Sequence, residues 1–331
     1  MEIFHDRGIN IGRDSELAVD TSARTKAKNA FITHAHSDHV ALNKKSKYLM
    51  SHATKDLVEA RYGPIENCQT ADFGEKIPIN GCSLSMHNSG HILGSSQILV
   101  ENNKKSERIV ITSDFKLQDS LFMKRGEVLD SDILVIECTF GIPCFEFPER
   151  EETYNEMGTW IKQNAKQGLV LLAGYSIGKA QELTAVCNEY AGIAPLVHDS
   201  VFEINKIYEN HSVHLGDYIK LNHNLKESNV IIIPPSLVKK GLAQSLSYST
   251  GKKIFTAFAT GWQRGSSYDK LFSLSDHADF SQLMQYVKES NPKLVLTMHG
   301  YDKEFAAYVQ RRLKIPARAL VDAGQKTIGE F

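Results

Sequence analysis

Phe31-Ile32-Thr33-His34-Ala35-His36-Ser37-Asp38-His39 is the stretch that decides how this 331-residue chain is read. A short apolar and β-branched run, 30–33, reads as a strand that ends in His-x-His-x-Asp-His. Loops at strand ends display functional side chains on a rigid scaffold. His34 and His36 point the same way, because side chains repeat every second residue along a strand. Asp38 and His39 follow as the chain turns, so a second ion can be held beside the first. Imidazoles with a carboxylate suit Zn²⁺, with Mn²⁺ or Fe as rivals. With 13 histidines in the chain, this pattern arises by chance roughly 0.001 times in such a length, which sets aside a fortuitous polar turn.

Working outward, three more strand ends carry ligand-type residues. His91 lies in the Gly/Ser-rich turn Asn88-Ser89-Gly90-His91-Ile92-Leu93-Gly94-Ser95-Ser96. Asp114 ends the run Val110-Ile111-Thr112-Ser113-Asp114, and His299 ends Leu294-Val295-Leu296-Thr297-Met298-His299. Each alone is a weak signal; together they describe a site built from separated segments. The bulk composition adds no competing signature. The formal net charge is -1, which indicates neither a nucleic-acid-coating nor a membrane-surface protein. No apolar window of ~18 residues marks a membrane span. The first seven residues lack the layout of a signal peptide. The five cysteines form no C-x-x-C pair, so neither a disulfide framework nor a thiolate zinc site is expected. A cytoplasmic, reducing location follows as the expectation.

The texture of the chain changes near Cys144. Before it, 17–19, 30–33, 82–87, 97–100, 108–112 and 133–136 read as short strands, with one helix over 53–62. After it, a charged, Pro-containing break at 147–152 leads to Thr153-x-x-Glu156, a capping-box pattern that predicts a helix over 153–167. Strands at 169–173, 230–233 and 254–258 alternate with a helix over 178–190, as in a parallel α/β domain. Near the C-terminus Asp279 is expected to cap a helix over 280–289, followed by a strand at 294–297 and a helix over 303–313. Chemistry-bearing residues in both the first and last stretches imply one domain interrupted by another.

The order of motifs resembles the metallo-β-lactamase fold: His-x-His-x-Asp-His, a Gly-His-x-x-Gly-Ser turn, then Ser-Asp at a strand end. Later motifs narrow the resemblance to the β-CASP nucleases. Ile136-Glu137-Cys138-Thr139-Phe140-Gly141 is similar to their Glu-Ser-Thr-Tyr-Gly segment. Ser176-Ile177-Gly178-Lys179-Ala180-Gln181-Glu182 is similar to their Gly-Arg-Ala-Gln-Glu helix start, and Ser275-Asp276-His277-Ala278-Asp279-Phe280 to their Ser-Ala-His-x-Asp-Tyr segment. The resemblance implies an α/β architecture, an αββα metallo-β-lactamase sandwich (1–143 and 257–331) interrupted by a small α/β β-CASP domain (144–256).

It also implies roles. His34, His36 and His91 would hold one zinc, and Asp38, His39 and His299 a second. Asp114 would bridge two Zn²⁺ per chain, with Mn²⁺ as the alternative. Asp20 would orient a ligand histidine. His277 would be the general acid, with Glu137 fixing its tautomer, and Asp38 would serve the catalytic centre as a ligand. Ser176, Gly178, Lys179 and Ser236 would contact phosphates at helix starts; Lys179 stands where relatives carry Arg, a point charge in place of a fork. The implied activity is hydrolysis of single-stranded RNA, endo or exo, leaving a 5′-phosphate and a 3′-hydroxyl. RNA-acting members usually have His in the last motif, where DNA-repair members have Val, so His299 favours RNA. The alternative is a DNA exonuclease of the ligase- or helicase-associated type, acting on single-stranded DNA. An ester, thioester or lactam hydrolase fits Glu137 and His277 poorly, and an inactive scaffold would have lost ligands. No membrane partner is expected, a homodimer is compatible with the sequence, and protein partners are unread.

Overall fold

Ile9, Ile11, Leu17, Val19 and Phe31 are buried in one core with Leu84, Met86, Ile98, Val100, Ile109 and Ile111. The alternation within each run places these side chains on one strand face, and that shared core is what holds two sheets face to face. In the computed structural model, residues 2–6, 8–12, 17–79, 81–102, 106–222, 225, 227–262 and 267–320 are described. They divide into a first unit, Met1–Leu117 with Arg125–Phe145 and His277–Phe331, and a second, Gln118–Lys124 with Glu146–Asp276.

The first sheet of the first unit runs in chain order through β1 (Ile3–His5), β2 (Ile9–Ile11), β3 (Leu17–Val19), β4 (Asn29–Phe31), β5 (Lys47–Met50) and β6 (Cys68–Thr70). From β3 onward its pairs are parallel, so β4 and β5 end at the same edge. Helix α1 (His52–Tyr62) crosses from β5 to β6, and its N-terminal Ser51 side chain accepts a hydrogen bond from the Thr54 N–H. The second sheet begins with β7 (Ile77–Ile79), β8 (Cys82–Asn88), β9 (Ser96–Asn102), β10 (Glu107–Ile111) and β11 (Ile133–Glu137).

The second unit contains α2 (Arg150–Ala165), β12 (Gly168–Ala173), α3 (Lys179–Val186), β13 (Leu196–Val197), α4 (Asp199–Asn210), β14 (Ile219–Lys220), β15 (Val230–Ile233), α5 (Leu242–Thr250), β16 (Lys253–Thr260) and β17 (Lys270–Ser273). Its strands form one parallel sheet in the order β14-β13-β15-β12-β16-β17. Both faces are covered, which is why β12 and β15 read as unbroken apolar runs. The chain then returns to the first unit with α6 (Phe280–Ser290), β18 (Leu294–Met298), α7 (Asp302–Leu313) and β19 (Ala317–Ala319). Parallel pairing of β18 with β11 joins the two arms in one sheet of order β19-β18-β11-β10-β9-β8-β7. Leu99, Val110, Leu134, Ile136 and Val295 on its outer face pack against Leu283 and Val287 of α6 and Phe305 and Val309 of α7. No described helix is long and apolar enough to cross a membrane.

Two expectations are corrected. The insert was expected to end at 256, but its compact unit extends to Asp276 because β17 adds the last strand to the insert sheet beside β16. The Thr153 capping box does not form. Helix α2 starts at Arg150, and the Thr153 N–H already donates to the Glu149 carbonyl inside the helix. Glu151 and Glu152 in the first turn complement the helix dipole without a side-chain cap.

The insert also buries charge. Arg150 Nη1 lies 2.7 Å and Tyr154 Oη 2.5 Å from Glu182 Oε1, and Lys179 Nζ lies 3.1 Å from Glu182 Oε2 and 2.9 Å from Asp276 Oδ1. Removing one partner from such a group strands an uncompensated charge. Arg150→Met is therefore expected to lower the apparent unfolding free energy of the insert by about 3–5 kcal/mol. Urea denaturation followed by tryptophan fluorescence checks this, since both tryptophans, Trp160 and Trp262, belong to the insert; an unchanged midpoint would refute it.

Candidate metal centre

His34 follows directly from β4, whose extension past Phe31 is held by the Ile32 N–H to Leu49 carbonyl bond. The chain then turns through a His39 N–H to His36 carbonyl bond, which folds the motif back on itself. His91 is set by the tight turn between β8 and β9. Ser95 Oγ accepts from both the His91 and Ile92 N–H groups at 3.1 Å. Gly90 in this turn has φ +74, and a Cβ there would lie 2.4 Å from the Gly126 nitrogen, so only glycine lets the two segments meet. Asp114 follows β10. Glu137 ends β11, and His299 follows β18, its neighbour in the sheet.

These segments converge. His34, His36, His91 and Asp114 offer ligand atoms that all lie within 4.8 Å of one another. Asp114 Oδ2 stands 3.5 Å from His34 Nε2, 3.7 Å from His91 Nε2 and 3.3 Å from His39 Nε2, while His91 Nε2 and His36 Nδ1 are 3.0 Å apart. One carboxylate oxygen thus faces three imidazoles. His34 Nε2 is buried and has no hydrogen-bond partner. A buried, unpartnered nitrogen among imidazoles and a carboxylate is the donor set a divalent cation takes. The residues therefore fit a divalent metal ion, which these side chains would hold.

The electrostatics follow from the same packing. Burial, then the neighbouring His39 and His91, push His34 well below the ordinary histidine range, leaving the neutral ring a metal needs. Burial would raise Asp114, but His39 and His277 hold it well below the usual carboxylate range. Burial would lower His39, yet Asp114 and Asp20 raise it well above the ordinary value. Asp20 Oδ2 lies 2.7 Å from His39 Nδ1.

The second expected ligand set is looser. Asp38 has a side chain 78% exposed, with Oδ2 3.8 Å from His39 Nε2. The His299 ring lies 5.9 Å from that of His39. Asp38, His39 and His299 line one cavity of about 140 Å³ together with His5 and Asp20. His277 stands beside the cluster, its ring 4.8 Å from that of His91, and its Nδ1 lies 3.1 Å from Glu137 Oε1. Glu137 is fully buried, and its other oxygen accepts from the Thr139 N–H at 3.0 Å. Asp114, Glu137 and His277 also offer atoms within 4.8 Å of one another, so Asp114 belongs to both groups.

The expected phosphate contacts fare differently. Ser236 is exposed in a short turn after β15, and Ser176 lies in the turn before α3 with Oγ 3.5 Å from Ser200 Oγ. The Gly178 N–H already donates to Gln181 Oε1 at 2.7 Å. Lys179 is a correction: it is 2% exposed, and its ammonium faces Glu182 and Asp276 inside the insert instead of a phosphate. Sequence reading missed Ser95, Thr33, Ser113 and Lys116. Lys116 is buried with Nζ 3.3 Å from the His91 carbonyl. Ser95 in the Gly/Ser-rich turn, Thr33 beside His34 and Ser113 beside Asp114 stand within quoted motifs, whereas Lys116 left no such signal.

The chain is similar to several known proteins. A family model for a Zn-dependent metallo-hydrolase RNA specificity domain matches residues 270–320. The chain is 25% identical to a probable RNase MJ4 of Methanocaldococcus jannaschii, covering 90% of this chain and 87% of that one. It is 24% identical to RNase aCSPSF2 of Saccharolobus solfataricus, covering 83% and 69%. It is 30% identical to a probable DNA ligase of Opitutus terrae over 91% of this chain, although that match spans only 30% of the ligase. A crystal structure of an Enterococcus faecalis protein of unknown function superposes with a TM-score of 0.64 over 90% of this chain and 80% of that one, at 10% identity. The fold and the site define a metallo-β-lactamase domain with a β-CASP insertion. In its family-model match and its relatives the chain is similar to the β-CASP nucleases of the metallo-β-lactamase superfamily.

Asp114→Asn tests the cluster. It is expected to lower metal affinity by more than the ~10–100-fold typical of residues that only orient a ligand. Elemental analysis after dialysis against a weak chelator reads this, and wild-type metal content would remove Asp114 from the centre.

Proposed function

We propose that the protein is a zinc-dependent nuclease that hydrolyses phosphodiester bonds of single-stranded RNA, leaving a 5′-phosphate and a 3′-hydroxyl. The observation that carries this reading is the placement of the His277–Glu137 pair against the buried histidine–aspartate cluster. An acid beside a cation site is what cleavage of a phosphodiester needs. Two zinc ions are proposed, one held by His34, His36 and His91, the other by Asp38, His39 and His299, with Asp114 between them. When bound, such ions activate water and neutralise charge on the scissile phosphate.

The chain's own residues do the rest. His277 gives a proton to the leaving 3′-oxygen. Glu137 accepts from its Nδ1–H and so fixes the tautomer of the ring. The Thr139 N–H holds the second Glu137 oxygen, which keeps the carboxylate from turning away. His277 has a side chain 27% exposed, enough to reach a strand in solution, whereas Glu137 is shut from water. The relatives named as RNases support RNA as the substrate. A second reading, single-stranded DNA, is favoured by the match of 91% of this chain to a segment of a protein named as a DNA ligase.

His277→Ala is expected to lower kcat by about 10²–10⁴-fold while metal content stays at the wild-type level. Undiminished turnover would remove His277 as the acid. Paired RNA and DNA single strands of one sequence, labelled at the 5′ end, separate the two substrates. RNA products with DNA left intact are expected, and the reverse would establish the DNA reading.

A further inference from the structure

The Thr33 hydroxyl stands between the two halves of the metal cluster. Its Oγ1 lies 3.0 Å from His34 Nδ1, 2.7 Å from Asp20 Oδ2 and 2.7 Å from Ser113 Oγ. The same Asp20 oxygen lies 2.7 Å from His39 Nδ1, and Asp20 Oδ1 accepts from the Thr33 N–H at 2.9 Å. Thr33 and His34 are fully buried and His39 nearly so, so these polar atoms must satisfy one another.

The hydrogens can then be assigned. A carboxylate only accepts, and the Thr33 hydroxyl at 2.7 Å is nearer to Asp20 Oδ2 than the Ser113 hydroxyl at 3.2 Å, so the Thr33 proton is assigned to Asp20. With that assignment Thr33 Oγ1 faces His34 Nδ1 as an acceptor, which places the hydrogen on His34 Nδ1. His39 Nδ1 donates to Asp20 in the same way. In both rings Nε2 is then the atom turned to Asp114, at 3.5 Å for His34 and 3.3 Å for His39.

We propose that Thr33 is a positioning residue that sets the ligand face of both histidines through one hydroxyl, His34 directly and His39 by way of Asp20. This rests on the cluster being a metal centre. Each expected ion has one of these histidines, so Thr33 couples the two halves without touching either ion. Thr33→Val keeps the shape but removes the hydroxyl, leaving His34 Nδ1 without its acceptor and taking one of several donors from Asp20. Thr33→Ser keeps the hydroxyl.

The test is a zinc titration of the metal-free full chain in competition with a chromophoric chelator. Thr33→Val is expected to lose about 10–100-fold in affinity at both sites, and Thr33→Ser to restore it. Unchanged affinity in Thr33→Val, or a loss at one site alone, would overturn the proposal. Ring-nitrogen NMR spectra of the metal-free chain give a second reading, with hydrogen expected on Nδ1 of His34 in the wild type and displaced from it in Thr33→Val. If Thr33→Val fails to fold by circular dichroism, the wild-type spectrum decides, since hydrogen on His34 Nε2 would overturn the assignment. A wild-type chain that binds no zinc sinks the metal centre itself, which is a different result from a Thr33→Val that binds like wild type.

Discussion

The first unit is organised around one oxygen atom. Asp114 Oδ2 faces the Nε2 atoms of His34, His39 and His91 at 3.3–3.7 Å. A buried carboxylate is costly unless cations or donors surround it, and buried imidazoles are costly unless each nitrogen has a partner. Neither set is tolerable alone, so each is the condition for the other. The sheets exist in the arrangement that brings them together. His34 comes from the end of β4, His91 from the β8–β9 turn and Asp114 from the end of β10. Glu137 and His299 come from β11 and β18, which pair directly across the two arms of the chain. The register Glu137↔Met298 makes the interruption of the domain chemically useful, since it places the last histidine one residue past the partner of the buried acid.

The insert follows a different rule. Its core holds two cations, Arg150 and Lys179, and two carboxylates, Glu182 and Asp276, in contact with one another. The charges balance inside the unit, so they add nothing to a surface that could attract a polyanion. That agrees with a formal net charge of -1 for the whole chain. Buried ion groups of this kind contribute little net stability but penalise any packing that separates them. They specify one arrangement of α2, α3 and the segment after β17.

Much of the first unit was legible because its signals are local. Strand alternation, the His-x-His-x-Asp-His spacing and the Asp279 cap of α6 each depend on residues a few positions apart, and the Asp279 side chain does accept from the Gln282 N–H. The buried residues at Asp114 and Glu137 were legible for the same reason, as polar residues at the ends of apolar runs. What was not legible depends on tertiary partners. Lys179 reads as a free cation in sequence because its partner Asp276 lies 97 residues away. The insert boundary near 256 was placed at the end of an apolar run, whereas β17 belongs to that sheet only through its pairing with β16. Thr153 looked like a cap because the pattern of residues cannot show that the preceding turn is already helical.

Backbone strain marks the same site. Among the described residues, seven that are not glycine have positive φ. Asn291 and Lys314 close α6 and α7, Ser212 follows α4, and Ser106 sits between β9 and β10, all places where a turn demands such a conformation. The remaining three, Asp20, Ser113 and His299, are at strand ends and all line the cavity beside His39. Asp and His tolerate the left-handed region better than most residues, but Ser113 has no such excuse. Each costs on the order of 1–3 kcal/mol, so the surroundings must hold them there. At Asp20 the restraint is visible: its carboxylate takes bonds from the Thr33 N–H and hydroxyl, from Ser113 and from His39. Beside His299, Gly300 has φ +54, and a Cβ there would lie 2.4 Å from the Cys138 carbonyl oxygen. At Asp20 the strain and the hydrogen bonds are two sides of one arrangement, in which the bent backbone lets one carboxylate meet Thr33, Ser113 and His39.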